Sequence, residues 1–139
     1  MKDAKGEGQR WLSQAVHDLE AGVAVLNEQL WWIACFQAQQ AAEKAVKAFL
    51  YASGERSVLG HSVRELAQHA SRKDPGFEGL VGTGTMLDRF YVLTRYPNGL
   101  PGGVPAETYT KEDADGALDL AKKIVDFVRG LPILADSQG

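Results

Sequence analysis

The sequence predicts an all-α protein, an antiparallel up-and-down bundle of four to five helices. Apolar residues recur at helical spacing over long stretches, no segment alternates polar and apolar residues long enough to form a strand, and glycine and proline concentrate between the helical stretches. With 139 residues, of which 45% are hydrophobic, the chain can build one core of ordinary size. We therefore expect a single helical domain over residues 1–131 and a disordered tail over residues 132–139.

The first two helices are predicted over about residues 7–27 and 30–53. Both carry apolar side chains at spacings of three and four residues, and most of those on the second helix are alanine, which allows a neighbouring helix to approach closely. The polar link between them is so short that the two helices must pack antiparallel. Gly54 can adopt the left-handed conformation that ends the second helix.

A capping box marks the start of the third predicted helix. Ser62 is followed three residues later by Glu65, and the helix should end near Ser71. The fourth helix is predicted over about residues 80–94, although Gly82 and Gly84 each weaken it by about 1 kcal/mol relative to alanine.

The fourth helix should stop near Arg95, because Pro97 excludes helical geometry at Tyr96. An irregular segment rich in glycine and proline follows. The fifth helix is predicted to begin after Thr110, with a threonine hydroxyl as its cap, and to continue to Gly130.

Charge is distributed unevenly along the chain, whose net charge is −3. Residues 44–95 carry eight basic and five acidic side chains, whereas both flanking segments are acidic. Such asymmetry is typical either of an anion-binding surface or of an ordinary mixed surface. No apolar run is long enough to span a bilayer and the N-terminus lacks the apolar core of a secretory signal, so we expect no membrane association and a cytoplasmic location.

The tripeptide Arg95-Tyr96-Pro97 is the strongest candidate for a binding site. A guanidinium at a helix end offers a planar fork for phosphate, and the adjacent aromatic ring offers a face for a base. The structural alternative is that Arg95 bonds the last carbonyls of the helix and Tyr96 covers the end of the bundle. His61 precedes a helix start, so its ring and the free amides of the next residues could complete an anion site.

Two lysines and two tryptophans on the second helix are secondary candidates. Lys44 and Lys47 could contribute to nucleotide binding, although a solvated surface is their simpler interpretation. Trp31 and Trp32 are adjacent and cannot both face one core, so we expect at least one of them to contact another helix, another subunit or a ligand. The single cysteine is expected to be a buried apolar residue, and no histidine has a partner at a metal-ligand spacing, so we predict neither a metal site nor a cofactor.

Five short segments, in this order, together resemble the HEPN domain and cover nearly the whole chain. They are Trp11-Leu12-x-Gln14-Ala15-x-x-Asp18-Leu19, Ala34-Cys35-Phe36-x-Ala38-Gln39-Gln40-Ala41-Ala42-Glu43-Lys44-Ala45-x-Lys47, Gly60-His61-Ser62, Thr94-Arg95-Tyr96-Pro97, and Tyr109-Thr110 followed by Ala117-Leu118-x-x-Ala121-Lys122-x-Ile124. The resemblance implies a bundle of four or five helices, a homodimer, and pairing with a minimal nucleotidyltransferase in a toxin-antitoxin-like system. The adjacent tryptophans Trp31 and Trp32 are our candidates for the dimer contact.

Three functional hypotheses follow from the residues and the resemblance. The favoured one is a nucleotide- or RNA-phosphate-binding module that uses Arg95, Tyr96, His61, Lys44 and Lys47 and acts as the accessory subunit of a nucleotidyltransferase. The second is a metal-independent ribonuclease, because Arg56 and His61 have the R-x-x-x-x-H spacing of the catalytic pair in ribonuclease branches of the family, with Arg95 as an alternative arginine. The third is a non-catalytic dimerisation or interaction domain.

Overall fold

The computed structural model describes residues 3–136 as a bundle built around two long antiparallel helices. Helix α1 spans Ala4–Asn27 and α2 spans Trp31–Ala52. The link between them turns at Gln29, whose φ of 64° lies in the left-handed region. Within the described residues the chain forms no strand, which confirms the predicted all-α class.

Helix α2 is the centre of the bundle, since fourteen of its 22 residues are buried. Its alanines from Ala34 to Ala52 are all buried. Small side chains allow α1 to approach closely, and this contact is so tight that a Cβ on Gly8 would lie 2.7 Å from the carbonyl oxygen of Ala48. Helix α6, Lys111–Arg129, lies against both long helices with its alanine, leucine, isoleucine and valine side chains inward.

Two short helices close one side of the bundle. Helix α3 spans Val63–Ser71 and α4 spans Val81–Asp88, with a 3-10 segment, Pro75–Leu80, between them. The side chain of Ser62 accepts a hydrogen bond from the amide of Glu65, as the predicted capping box requires. A four-residue helix, α5, spans Pro105–Thr108 in the segment that was predicted to be irregular.

The fourth helix is shorter than predicted, because it ends at Asp88 and not at Thr94. Residues 90–94 are aromatic, β-branched or leucine, and most of these have weak helix propensity. The side chains here also bond the local backbone: the Thr94 hydroxyl donates to the carbonyl of Phe90 and Arg95 Nε donates to the carbonyl of Tyr91. The chain therefore passes through a series of turns before Pro97.

The predicted disordered tail is partly folded. Pro132–Leu134 forms a 3-10 turn, Leu134 is buried, and Gln9 donates a hydrogen bond to the Leu134 carbonyl over 3.3 Å. The segment begins with the apolar residues Pro132 to Ala135, and burial of Leu134 among them extends the folded part beyond the predicted boundary at residue 131. The remainder of the predicted tail, residues 137–139, lies outside the described residues.

Candidate functional site

Arg95 lies on the surface at the end of the turns that follow α4, among three aromatic rings. Its Cζ atom is 4.6 Å from the ring centroid of Phe36, 4.6 Å from that of Tyr91 and 5.3 Å from that of Tyr96. Its Nε donates to the Tyr91 carbonyl over 2.8 Å, which is the one hydrogen bond of this side chain within residues 3–136. The guanidinium is thus oriented by stacking and by Nε, while both terminal amino groups remain available to an anion.

Tyr91 connects Arg95 to His61. The rings of His61 and Tyr91 are stacked, with centroids 4.8 Å apart and planes inclined by 17°. Arg95 and His61, which the sequence analysis expected to lie near one another, therefore both contact Tyr91. Tyr96, the other predicted member, is 51% exposed beside the guanidinium and can offer its face to a ligand.

Two polar side chains of α2 position His61. Gln39 donates to its backbone carbonyl over 2.8 Å, and the ring nitrogen Nδ1 is 3.3 Å from Oε2 of the buried Glu43. A carboxylate only accepts hydrogen bonds, so it favours the tautomer with the proton on Nδ1 and leaves Nε2 as the basic nitrogen. The side chain of His61 is 56% exposed, so a ligand can reach it.

The two candidate lysines do not form a solvated surface, so the simpler interpretation of their role is wrong. Lys47 is buried and its Nζ lies 3.1 Å from Glu43 Oε2, while Lys44 pairs with Asp18 of α1. Their charges are already balanced, and a buried pair loses much if one partner is removed. Lys47 pairs within α2 and Lys44 joins α2 to α1, so both lysines are poor candidates for holding a phosphate.

The start of α3 is not a free anion site either. The carboxylate of Asp88, the last residue of α4, accepts hydrogen bonds from the Ser62 hydroxyl, the Val63 amide and the Arg64 amide at 2.6, 2.6 and 3.2 Å. An internal carboxylate thus occupies the amides that the sequence analysis assigned to an external anion. This correction leaves Arg95 as the principal candidate for an anion-binding group.

Arg56 lies exposed in the loop between α2 and α3, and it makes no hydrogen bond or ion pair with His61 within residues 3–136. A catalytic pairing of Arg56 with His61 therefore stays a prediction. The structure brings Arg95 to the ring on which His61 stacks.

The tryptophan pair divides between two environments. Trp31 packs against the hydrophobic core, whereas Trp32 lines an open cavity of about 340 Å³ beside Arg95. This agrees with the expectation that adjacent residues cannot share one core. The dimer contact itself stays a prediction.

Three residues that shape this region were missed by the sequence analysis. Phe36 and Tyr91 hold the Arg95 guanidinium, and Asp88 closes the start of α3. Their roles depend on which ring meets which side chain across the bundle, and no spacing in the sequence encodes that.

Within residues 3–136, no group of three or more His, Cys, Asp and Glu side chains is arranged to hold a metal ion. In the same part of the chain, every helix is too short or too polar to cross a membrane.

Known proteins share this architecture. A family model described as "HEPN domain" matches residues 9–131. A Methanocaldococcus jannaschii protein named "Putative toxin" is 29% identical over 127 residues, which are 86% of this chain and 84% of the relative.

Solved structures are also similar. A Thermus thermophilus protein has a TM-score of 0.77 at 40% identity, covering 88% of this chain and 95% of that one. An archaeal HEPN homologue has a TM-score of 0.73 at 35% identity, covering 94% and 98%. A HEPN domain protein from Thermotoga maritima has a TM-score of 0.67 at 31% identity, covering 86% and 93%.

Proposed function

The chain belongs to the HEPN domain family, and from that premise we propose that it binds the phosphate of a nucleotide or RNA at Arg95 and works as the accessory subunit of a minimal nucleotidyltransferase. The observation that supports this proposal most is that the Arg95 guanidinium is held in place but has no carboxylate partner in the described part of the chain. It is fixed by three rings and one backbone hydrogen bond, and it has no carboxylate partner within residues 3–136. A charged fork without an internal partner is suited to a phosphate.

The toxin-antitoxin part of the proposal is supported by the name of the Methanocaldococcus jannaschii relative. Toxins of such systems act on a ligand in the cell and are controlled by a partner protein, so the chain would need both a ligand site and a partner. The partner proposed here is a small nucleotidyltransferase. We expect a small nucleotidyltransferase-like reading frame beside the gene for this chain, and its absence would count against the proposal. Co-expression of the two proteins, followed by purification on a tag carried by this chain, should then recover both in equal amounts.

The binding experiment is a titration of wild-type protein and variants with a nucleoside triphosphate and with a short RNA. Arg95→Ala should weaken binding by about 1.5–3 kcal/mol, the range for a charge-assisted hydrogen bond, with unchanged helical content. Arg95→Lys should recover only part of the loss, since an ammonium keeps the charge but not the fork. Arg72→Ala, which removes an exposed arginine at the end of α3, is the matched control and should bind like wild type.

Metal-independent ribonuclease activity is a second candidate, favoured by the contact of both Arg95 and His61 with Tyr91. With Nδ1 directed to Glu43, the Nε2 atom of His61 can accept the proton of a ribose 2′-hydroxyl, whose oxygen then attacks the adjacent phosphorus. The 5′-oxygen leaves and takes up a proton from protonated His61 or from water, while Arg95 stabilises the negative charge on the phosphoryl oxygens. RNA cleavage that persists in EDTA and disappears in both His61→Ala and Arg95→Ala would support this reaction. Intact RNA after incubation with wild-type protein would rule it out and leave a binding module.

A further inference from the structure

The cavity beside Arg95 has the character of a stacking pocket. Trp32 and Phe36 stand one turn apart on α2 and form one wall, and Val104 and Pro105 at the start of α5 form the other. The volume of about 340 Å³ falls in the range of small-molecule sites, about 300–1,000 Å³. Arg95 itself lines this cavity, so a ligand whose phosphate lies on the guanidinium can extend directly into it.

The pocket offers few polar groups to a ligand. The Thr94 hydroxyl already donates to the carbonyl of Phe90 over 2.6 Å, and Arg95 Nε is bonded to the carbonyl of Tyr91. The Trp32 indole N–H is left as a donor without a partner within residues 3–136. All four bases carry an acceptor for such a donor, so this lining can stack a base but can hardly distinguish one base from another.

A larger cavity, which also contains an arginine, does not compete for the same ligand. It has a volume of about 510 Å³ and contains Arg89, but Glu112 and Asp113 also line it. None of the residues lining the Trp32 cavity is acidic. A polyanion is therefore attracted to the Trp32 cavity and repelled from the larger one.

We propose that the pocket between Trp32 and Pro105 receives the base of the nucleotide whose phosphate Arg95 holds, and that it does so by stacking with little preference among the four bases. The inference rests on the proposed function, because it requires a phosphate at Arg95. It adds a binding site for the base and the way in which the base is recognised, so that nucleotides of any base bind more tightly than inorganic phosphates or sugar phosphates.

The test compares dissociation constants for ATP, GTP, CTP and UTP with that for inorganic tripolyphosphate. The four nucleotides should agree with one another within about threefold, and each should bind about tenfold more tightly than tripolyphosphate, the scale expected for one stacked base. Trp32→Ala should reduce nucleotide affinity to that of tripolyphosphate and leave tripolyphosphate affinity unchanged.

Tryptophan fluorescence supplies a second readout that needs no truncation. Each nucleotide should quench the emission of wild-type protein, and tripolyphosphate should not. Nucleotide should no longer decrease the emission of Trp32→Phe, which lacks the tryptophan of the pocket. The decrease should persist in the matched variant Trp31→Phe, because Trp31 packs against the core.

The outcomes separate the two proposals. Equal affinity for nucleotides and tripolyphosphate, with loss of both in Arg95→Ala, overturns the base pocket and leaves the phosphate site intact. Preference for one base by more than tenfold overturns the stacking mode of recognition. Absence of binding by every ligand overturns the proposed function and this inference with it. If Trp32→Ala dissociates a dimer without changing the ratio of nucleotide to tripolyphosphate affinity, the pocket belongs to a second copy of the chain.

Discussion

At the scale of single residues, Cys35 shows how burial sets chemistry. Its side chain is fully buried in α2, and burial, with a smaller contribution from the charge of Asp113, raises the pKa of the thiol from 9.0 to about 12. Burial also raises the pKa of the nearby Tyr109 hydroxyl. A thiol held in its neutral form is a poor nucleophile, so Cys35 acts as a small apolar residue.

This shift predicts a specific loss of stability at high pH. Between about pH 9 and pH 12 the unfolded chain releases the Cys35 proton and the folded chain keeps it, so the free energy of unfolding should fall by about 1.4 kcal/mol per pH unit from this group. Below pH 9 both states hold the proton and the contribution is absent. Denaturant unfolding of wild type and Cys35→Ala from pH 8 to pH 11 measures the difference, and parallel pH profiles for the two proteins would contradict it.

Asp88 is the second residue whose role is decided by contacts. Its carboxylate accepts three hydrogen bonds at the start of α3. Asp88→Ala should leave two amides and a hydroxyl without this partner and destabilise the protein by about 1–3 kcal/mol.

Asp115→Ala is the matched control for that variant. It removes an exposed aspartate paired only with Lys111 on the same helix, which is worth at most about 1 kcal/mol. Chemical denaturation of both variants is the measurement. Similar midpoints for the two would show that Asp88 contributes no more than a surface charge.

At the scale of elements, two glycines of α4 have opposite reasons to be there. The sequence analysis treated Gly82 and Gly84 alike, as weak points of a helix. In the structure Gly82 is exposed with open space around it, whereas a Cβ on Gly84 would lie 2.7 Å from the amide nitrogen of Arg64 in α3. Gly84 therefore permits the close approach of α3 and α4.

Alanine substitutions separate these two roles. Gly82→Ala should stabilise the protein by up to about 1 kcal/mol, because alanine has the better helix propensity. Gly84→Ala should destabilise it by about 1–3 kcal/mol, because backbone must move to admit the methyl group. The measurement is the thermal unfolding temperature of the two variants relative to wild type. A Gly84→Ala variant as stable as Gly82→Ala would show that the contact between α3 and α4 is looser than described.

The elements also show what sequence can and cannot predict. The long helices were predictable because their apolar periodicity extends over many turns, and the Ser62 and Thr110 caps were predictable because capping depends on neighbours within three residues. The end of α4 at Asp88 was not predictable from the sequence, since it depends on local hydrogen bonds between side chains and backbone that compete with helix formation. The i, i+4 spacing predicts the Glu43–Lys47 pair, but its burial was not predictable, because only the packing of α2 at the centre of the bundle removes those charges from water.

At the scale of the whole molecule, homodimerisation stays a prediction. The prediction depends on Trp31 and Trp32. If a ligand occupies the pocket at Trp32, the exposed part of Trp31 is the remaining candidate for the dimer contact. We expect wild-type protein to sediment as a dimer at tens of micromolar, a working concentration typical of moderate affinity. Trp31→Ala should raise the dimer dissociation constant more than tenfold, as truncation of an interface tryptophan commonly does.

This prediction needs one control and has one outcome that would contradict it. Because Trp31 also packs against the core, the thermal unfolding of Trp31→Ala must be recorded beside its sedimentation, so that lost association is not confused with lost folding. A wild-type protein that sediments as a monomer throughout this concentration range would contradict the dimer.

The central claim is that Arg95 is the anion-binding group of the molecule, and the most direct test follows its side chain by NMR. In a titration with ATP, the Nε–H resonance of Arg95 should shift progressively and saturate, together with the backbone amide resonances of Tyr91 and Tyr96. The Nε–H resonance of Arg72, on the surface at the end of α3, should stay in place. An Arg95 resonance that does not move while others in the protein saturate would place the ligand elsewhere and contradict the account.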